Sequence, residues 1–142
     1  MRCSHCGVCC EETEMLLCEE DIKRLERAGY VKKKFVRLDK QGYAKLRNVR
    51  GYCFFYDAET HRCNAYELRP LGCRIYPVIY GEEDAIVTDA LCPEKHTVSD
   101  KELAEKGKKV TRLLARIDLE AKSRSTDETE PIFLLHKPRK QS

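Results

Sequence analysis

Four of the chain's nine cysteines crowd its first ten residues, as Cys3, Cys6, Cys9 and Cys10 in the segment "RCSHCGVCC". A Cys-x2-Cys spacing lets two sulfurs converge from a single turn while the intervening backbone N–H groups point toward them. Cys3, Cys6 and Cys9 extend that spacing to three sulfurs, as in the opening of a bacterial ferredoxin-type iron–sulfur run. A fourth ligand must then come from a distant part of the chain, and Cys92, immediately before Pro93, is a candidate. Adjacent side chains rarely aim at one point, so Cys10 argues for a second site beside that of Cys9. The middle block "CFFYDAETHRCNAYELRPLGCRIYP" adds Cys53, Cys63 and Cys73. Cys3, Cys6, Cys9, Cys10, Cys53, Cys63, Cys73 and Cys92 together suffice for two four-thiolate sites, although the spacing does not say which four belong together. One cluster with spare thiols and a dinuclear site also fit. Cys18 reads as a small buried or helix-capping residue.

Composition and context favour metal over the other uses of cysteine. Charged residues make up 36% of the chain, so its apolar core is modest and gains from a covalent or metal cross-link. No apolar stretch follows Met1 and Arg2 as a secretory leader would require, and no apolar run approaches the ~20 residues of a membrane span. A cytoplasmic location is therefore expected, where spaced thiols bind metal or do redox chemistry more often than they pair as disulfides. A thioredoxin-like redox role for Cys3 and Cys6 is the weaker reading, because the pair does not follow a strand in a βαβ pattern. The formal charge of +3 gives no strong nucleic-acid signal, and eight thiolates with two divalent ions would turn it to about −1. Expected partners are metal ions and a protein or redox partner, with no membrane. No glycine-rich strand-to-helix turn suggests a nucleotide-type cofactor.

The remaining sequence predicts a small α+β domain with two β-hairpins and two to three helices organised around cysteine-bound metal. "LCEEDIKRLERAG" has acidic residues at one end, Ile22 and Leu25 on one side and Gly29 as a stop, the pattern of a short helix. "KFVRL" and "YAKLR" flank the turn "DKQG", predicting a hairpin over residues 34–48. "RIYPVIY" and "AIVTDA" predict another around "GEED". Ser99 with Glu102 forms a capping-box pattern that opens the longest helix, 99–124. Leu103, Gly107, Val110, Leu114, Ile117 and Ala121 recur on one face of it and are expected to pack on the domain body rather than on a partner. Residues 1–124 are read as the metal-binding domain and 125–142 as a partly disordered tail.

Beside the cysteines, Arg69 and Arg74 are the first choices for side chains that offset the negative charge of a thiolate centre. Tyr66 and Tyr76 lie near them in sequence. His5, His61 and His96 sit close to cysteines but are read as exposed or supporting residues, since the thiols already suffice. No residue is singled out as catalytic.

"CSHCGVCC", "CFFYDAETHRCNAYELRPLGCRIYP" and the later "CP" together resemble the CxxCxxCC cysteine-cluster family, the YkgJ-type proteins described as zinc- or iron-chelating and also as iron–sulfur-cluster-containing. The resemblance spans about residues 3–93 and includes Tyr66, Glu67, Arg69, Pro70 and the run from Cys73 to Pro77. It implies metal binding by the eight cysteines and leaves Cys18 and the histidines outside the pattern. Flagellin lysine-N-methylases contain a similar cysteine module, but nothing in this chain extends the likeness to methylation. An iron–sulfur cluster or zinc is the expected cofactor, with the ferredoxin-like spacing favouring iron–sulfur. The alternatives are a zinc-stabilised interaction module and a redox or metal-transfer enzyme.

Overall fold

Each regular element is short except one, and local sequence accounts for most of them. The computed structural model describes residues 8–81 and 85–125. Helix α1 (Glu19–Arg27) has Glu19, Glu20 and Asp21 in its first turn and Arg24 and Arg27 in its last, matching the helix dipole at both ends. Cys18 is its N-cap residue, and Gly29 follows with φ +103°. Ile22 and Leu25 are buried on one side. A single turn, α2 (Lys32–Phe35), then buries Phe35 completely.

The first expected hairpin forms from β1 (Val36–Leu38) and β2 (Ala44–Leu46), with Val36 opposite Leu46 and Leu38 opposite Ala44. Asp39 builds its turn: the carboxylate accepts the Gln41 and Tyr43 N–H groups at 2.9 and 3.0 Å. Gly42, at φ +91°, packs so closely on α4 (Asp100–Arg124) that an added Cβ would lie 2.6 Å from the Ala121 carbonyl oxygen. The second expected hairpin pairs β7 (Val78–Tyr80) with β8 (Ile86–Thr88) in the register Val78–Thr88 and Tyr80–Ile86.

Two smaller antiparallel pairs were not legible as strands. They are β3 (Asn48–Val49) with β4 (Tyr52–Cys53), and β5 (Tyr56–Asp57) with β6 (Arg62–Cys63). Pairs of two residues contain no alternation to read. Another single-turn helix, α3 (Leu71–Ile75), lies between Pro70 and Pro77. The α+β class is as expected, with four α-helices among the described residues.

Helix α4 covers one side of the molecule. Ser99 caps it, its hydroxyl accepting the Glu102 N–H at 3.1 Å. Gly107, Val110, Leu114, Ile117 and Ala121 are buried, joined by Leu113 and Asp118. Val110, Leu113, Leu114, Ile117 and Ala121 meet Leu16, Cys18, Tyr43, Ile75 and Val78 in one core. Ion pairs from Arg116 to Glu20 and from Arg124 to Glu19 bind α4 to α1. A second core gathers Leu17, Ile22, Leu25, Phe35, Val36, Leu46 and Phe55. Burying each such Leu or Phe side chain stabilises the fold by roughly 1.5–3 kcal/mol. The expected tail, apart from Ser125, lies outside the described residues.

Candidate metal centre

Cys10, Cys53, Cys63 and Cys73 all border the second core, carried there by four different elements. A 3-10 turn at Val8–Cys10 presents Cys9 and Cys10 with their sulfurs 4.0 Å apart. The residues after it zip onto the β3–β4 pair: Glu11 bridges to Tyr52, and the Glu12 N–H donates to the Gly51 carbonyl at 2.6 Å. Cys53 closes β4 and Cys63 closes β6, opposite Tyr56. Cys73 is carried by α3, where Gly72 allows the helix to approach Met15; a Cβ at that position would collide with the Met15 sulfur.

The Cys9, Cys10, Cys53, Cys63 and Cys73 thiols are close enough to perturb one another's ionisation. The Cys10 thiol is driven far up by its hydrogen bond with Cys9, then by burial and by the nearby sulfurs of Cys53 and Cys73. Burial pushes Cys53 up to about 11 and raises Cys63 and Cys73 as well, and neighbouring sulfurs add to each shift. Opposing contributions already surround the sulfurs. The backbone of Phe55 and Tyr56 works against the rise at Cys53, and that of Ala65 and the Arg69 guanidinium work against it at Cys63. Partly buried thiols that repel one another as anions ionise together more readily beside a shared cation. Thiolate sulfur is the donor type that thiophilic metals take.

Other residues take varied places. Cys92 is buried in the turn after β8, and Tyr76 lies within electrostatic reach of both Cys9 and Cys92. Cys3, Cys6 and His5 lie outside the described residues. Among the described residues, no group of three or more His, Cys, Asp and Glu side chains could hold an ion as it stands. Arg69 stacks on the Tyr66 ring at 3.7 Å and donates to the Tyr66 carbonyl at 2.8 Å. Arg74 donates to the carbonyls of Glu67 and Arg69, at 3.0 and 3.1 Å, and so braces the loop before α3. His61 contacts the Tyr56 hydroxyl through Nδ1 at 3.1 Å, and His96 is exposed beside Glu94. Cys18 is fully buried, its thiol pushed up to about 11 by burial and by Asp21.

Asp21 and Asp89 support this region and were not picked out from sequence. Asp21, with no exposed surface, accepts from Arg24, the Leu71 N–H and the Cys18 N–H. Asp89 accepts the Tyr76 hydroxyl at 2.8 Å and the Leu91 N–H at 3.0 Å. An Asp followed two residues later by Leu-Cys-Pro is a turn signal that could have flagged Asp89.

The molecule is thus a small α+β domain that gathers cysteines from separate elements beside one core, where sulfur is the donor chemistry on offer. The comparison with known families agrees: the CxxCxxCC family, described as "Putative zinc- or iron-chelating domain", matches residues 2–109, and the chain belongs to it. The chain is also 34% identical over 82 residues to an uncharacterized protein, MJ0661, of Methanocaldococcus jannaschii, an alignment covering 53% of this chain and 43% of that protein. The chain thus spans less than half the length of that curated relative. No solved structure matches it. Among the described residues, no helix is long and apolar enough to cross a membrane.

Proposed function

We propose that this protein is a cytoplasmic metal-binding protein that holds an iron–sulfur cluster or zinc through Cys3, Cys6, Cys9, Cys10, Cys53, Cys63, Cys73 and Cys92. The observation that carries this reading is the packing of Cys10, Cys53, Cys63 and Cys73, from distant parts of the sequence, at one core, with the Cys9 sulfur 4.0 Å from that of Cys10. The Arg69 guanidinium supports it further, because it favours the ionised form of Cys63 over the free thiol. Arg69 would offset part of the thiolate charge, and Arg74 would hold the loop that carries it. Bound iron and sulfide would give the chain a one-electron centre, whereas zinc would cross-link its short elements. The Cys3, Cys6 and Cys9 spacing favours iron–sulfur.

Anaerobic purification with metal, sulfide and protein quantified together tests the proposal. A brown protein with iron and acid-labile sulfide supports the cluster. Colourless protein carrying stoichiometric zinc replaces it with the zinc form, and metal-free protein after purification from metal-replete cells overturns both. A zinc module that offers α4 to a partner has less support, because the apolar stripe of α4 is buried in the first core. A redox or metal-transfer enzyme would need a reactive thiol, which alkylation of the metal-loaded protein would reveal.

A further inference from the structure

The turn that carries Cys92 is tied to the segment following Cys73 by a chain of buried hydrogen bonds. The Tyr76 hydroxyl donates to Asp89 Oδ2 at 2.8 Å. The other carboxylate oxygen accepts the Leu91 N–H at 3.0 Å, and the Asp89 carbonyl accepts the Cys92 N–H at 3.1 Å. The Asp89 N–H in turn donates to the Pro77 carbonyl at 2.7 Å. Asp89 is only 3% exposed, Cys92 6% and Tyr76 8%, so water cannot readily replace these bonds. Asp89 therefore sets both the shape of its turn and the attachment of that turn beside α3.

We propose that Tyr76 and Asp89 are positioning residues that hold the Cys92 sulfur beside the segment following Cys73, as a further ligand of the proposed metal centre. This rests on the metal-binding reading above and adds to it a device for recruiting the ligand from the far end of the cysteine pattern. Tyr76 is suited to the task because it directly follows the helix that carries Cys73 and its hydroxyl reaches Asp89 in the turn before Cys92. Its hydroxyl proton points to Asp89, so the ring acts as a strut between the two segments and holds the turn in register.

A second buried pair supplies the control. The Tyr43 hydroxyl donates to Asp118 Oδ1 at 2.7 Å, in the core against α4. Tyr76→Phe and Tyr43→Phe each remove one buried bond to a carboxylate, so a purely structural role would make them behave alike. The test is timed alkylation of metal-loaded protein, with each cysteine followed by mass spectrometry. Tyr76→Phe is expected to speed Cys92 alkylation about tenfold, the equivalent of losing one hydrogen bond to a charged group, while Cys53, Cys63 and Cys73 stay protected. Tyr43→Phe should leave Cys92 protected. Equal acceleration at every cysteine, equal effects of the two variants, or an unchanged Cys92 rate with the other cysteines metal-protected would each overturn the strut alone. If metal protects no cysteine in the unaltered protein, the metal-binding reading falls and the strut with it.

Discussion

The Asp21 carboxylate accepts the Leu71 N–H at 3.0 Å, joining α1 to the first residue of the helix that carries Cys73. Its second oxygen reaches the Cys18 N–H, while Arg24 pairs at 2.7 Å with the oxygen that accepts from Leu71 and also donates to the Arg69 carbonyl. Asp21→Ala would leave the Leu71 and Cys18 N–H groups and the Arg24 guanidinium without this partner. A loss of about 2–4 kcal/mol in denaturant unfolding is expected. A loss below about 0.5 kcal/mol would show that water or another acceptor replaces the carboxylate.

Cysteine replacements should separate ligands from packing. Cys63→Ser and Cys73→Ser are expected to lower bound metal and destabilise the metal-loaded protein, because ligation and folding are coupled. Cys18→Ser should retain full metal, since Cys18 is fully buried at the N-cap of α1 in the core against α4. Metal analysis of the purified variants decides this, and equal loss in all three would make Cys18 a ligand.

Metal-free protein should weaken in alkali. The Cys53 pKa is pushed up by burial from 9.0 to about 11, and Cys63 and Cys73 are also raised from 9.0. The unfolded chain loses these protons first, so stability is full below pH about 9 and falls as pH rises toward 11. Metal-loaded protein should respond at the other end of the scale, releasing metal on acidification as protons compete for sulfur. Unfolding midpoints between about pH 4 and 11, with and without metal, check both directions; a midpoint of the metal-free form that rises with pH above about 9 would contradict the assignment.

Two glycines with positive φ differ in what surrounds them. Gly29, at φ +103°, has nothing within 4 Å of a would-be Cβ, while at Gly42 that atom would lie 2.6 Å from the Ala121 carbonyl oxygen. Gly29→Ala is expected to cost about 1 kcal/mol from backbone strain alone. Gly42→Ala should cost about 3 kcal/mol, because the hairpin must also move away from α4. Similar values for both would mean that the hairpin adjusts freely.

The parts of the fold that were legible in sequence are those governed by neighbours. Acidic and basic residues at opposite ends of α1, Asp39 and Gly42 in the first turn, and Ser99 with the stripe of α4 all act within a few residues. The list of candidate ligands was legible in the same way, as a pattern of cysteine spacing. The single turns α2 and α3 and the two-residue strands were not, because each is too short to show a period and is held by contacts made elsewhere.

By itself the sequence determined the chemistry available, nine thiols and a family pattern of metal chelation, and the local folds that carry them. Only the tertiary structure brought Cys10, Cys53, Cys63 and Cys73 to one core. Cys9, Cys10, Cys53, Cys63 and Cys73 approach one another because Glu12 pairs with Gly51, Gly72 admits Met15, and Asp21 reaches Leu71 across 50 positions. Those contacts join segments whose separation no local spacing encodes, and burial then converts their nearness into the mutual repulsion that a bound cation would relieve.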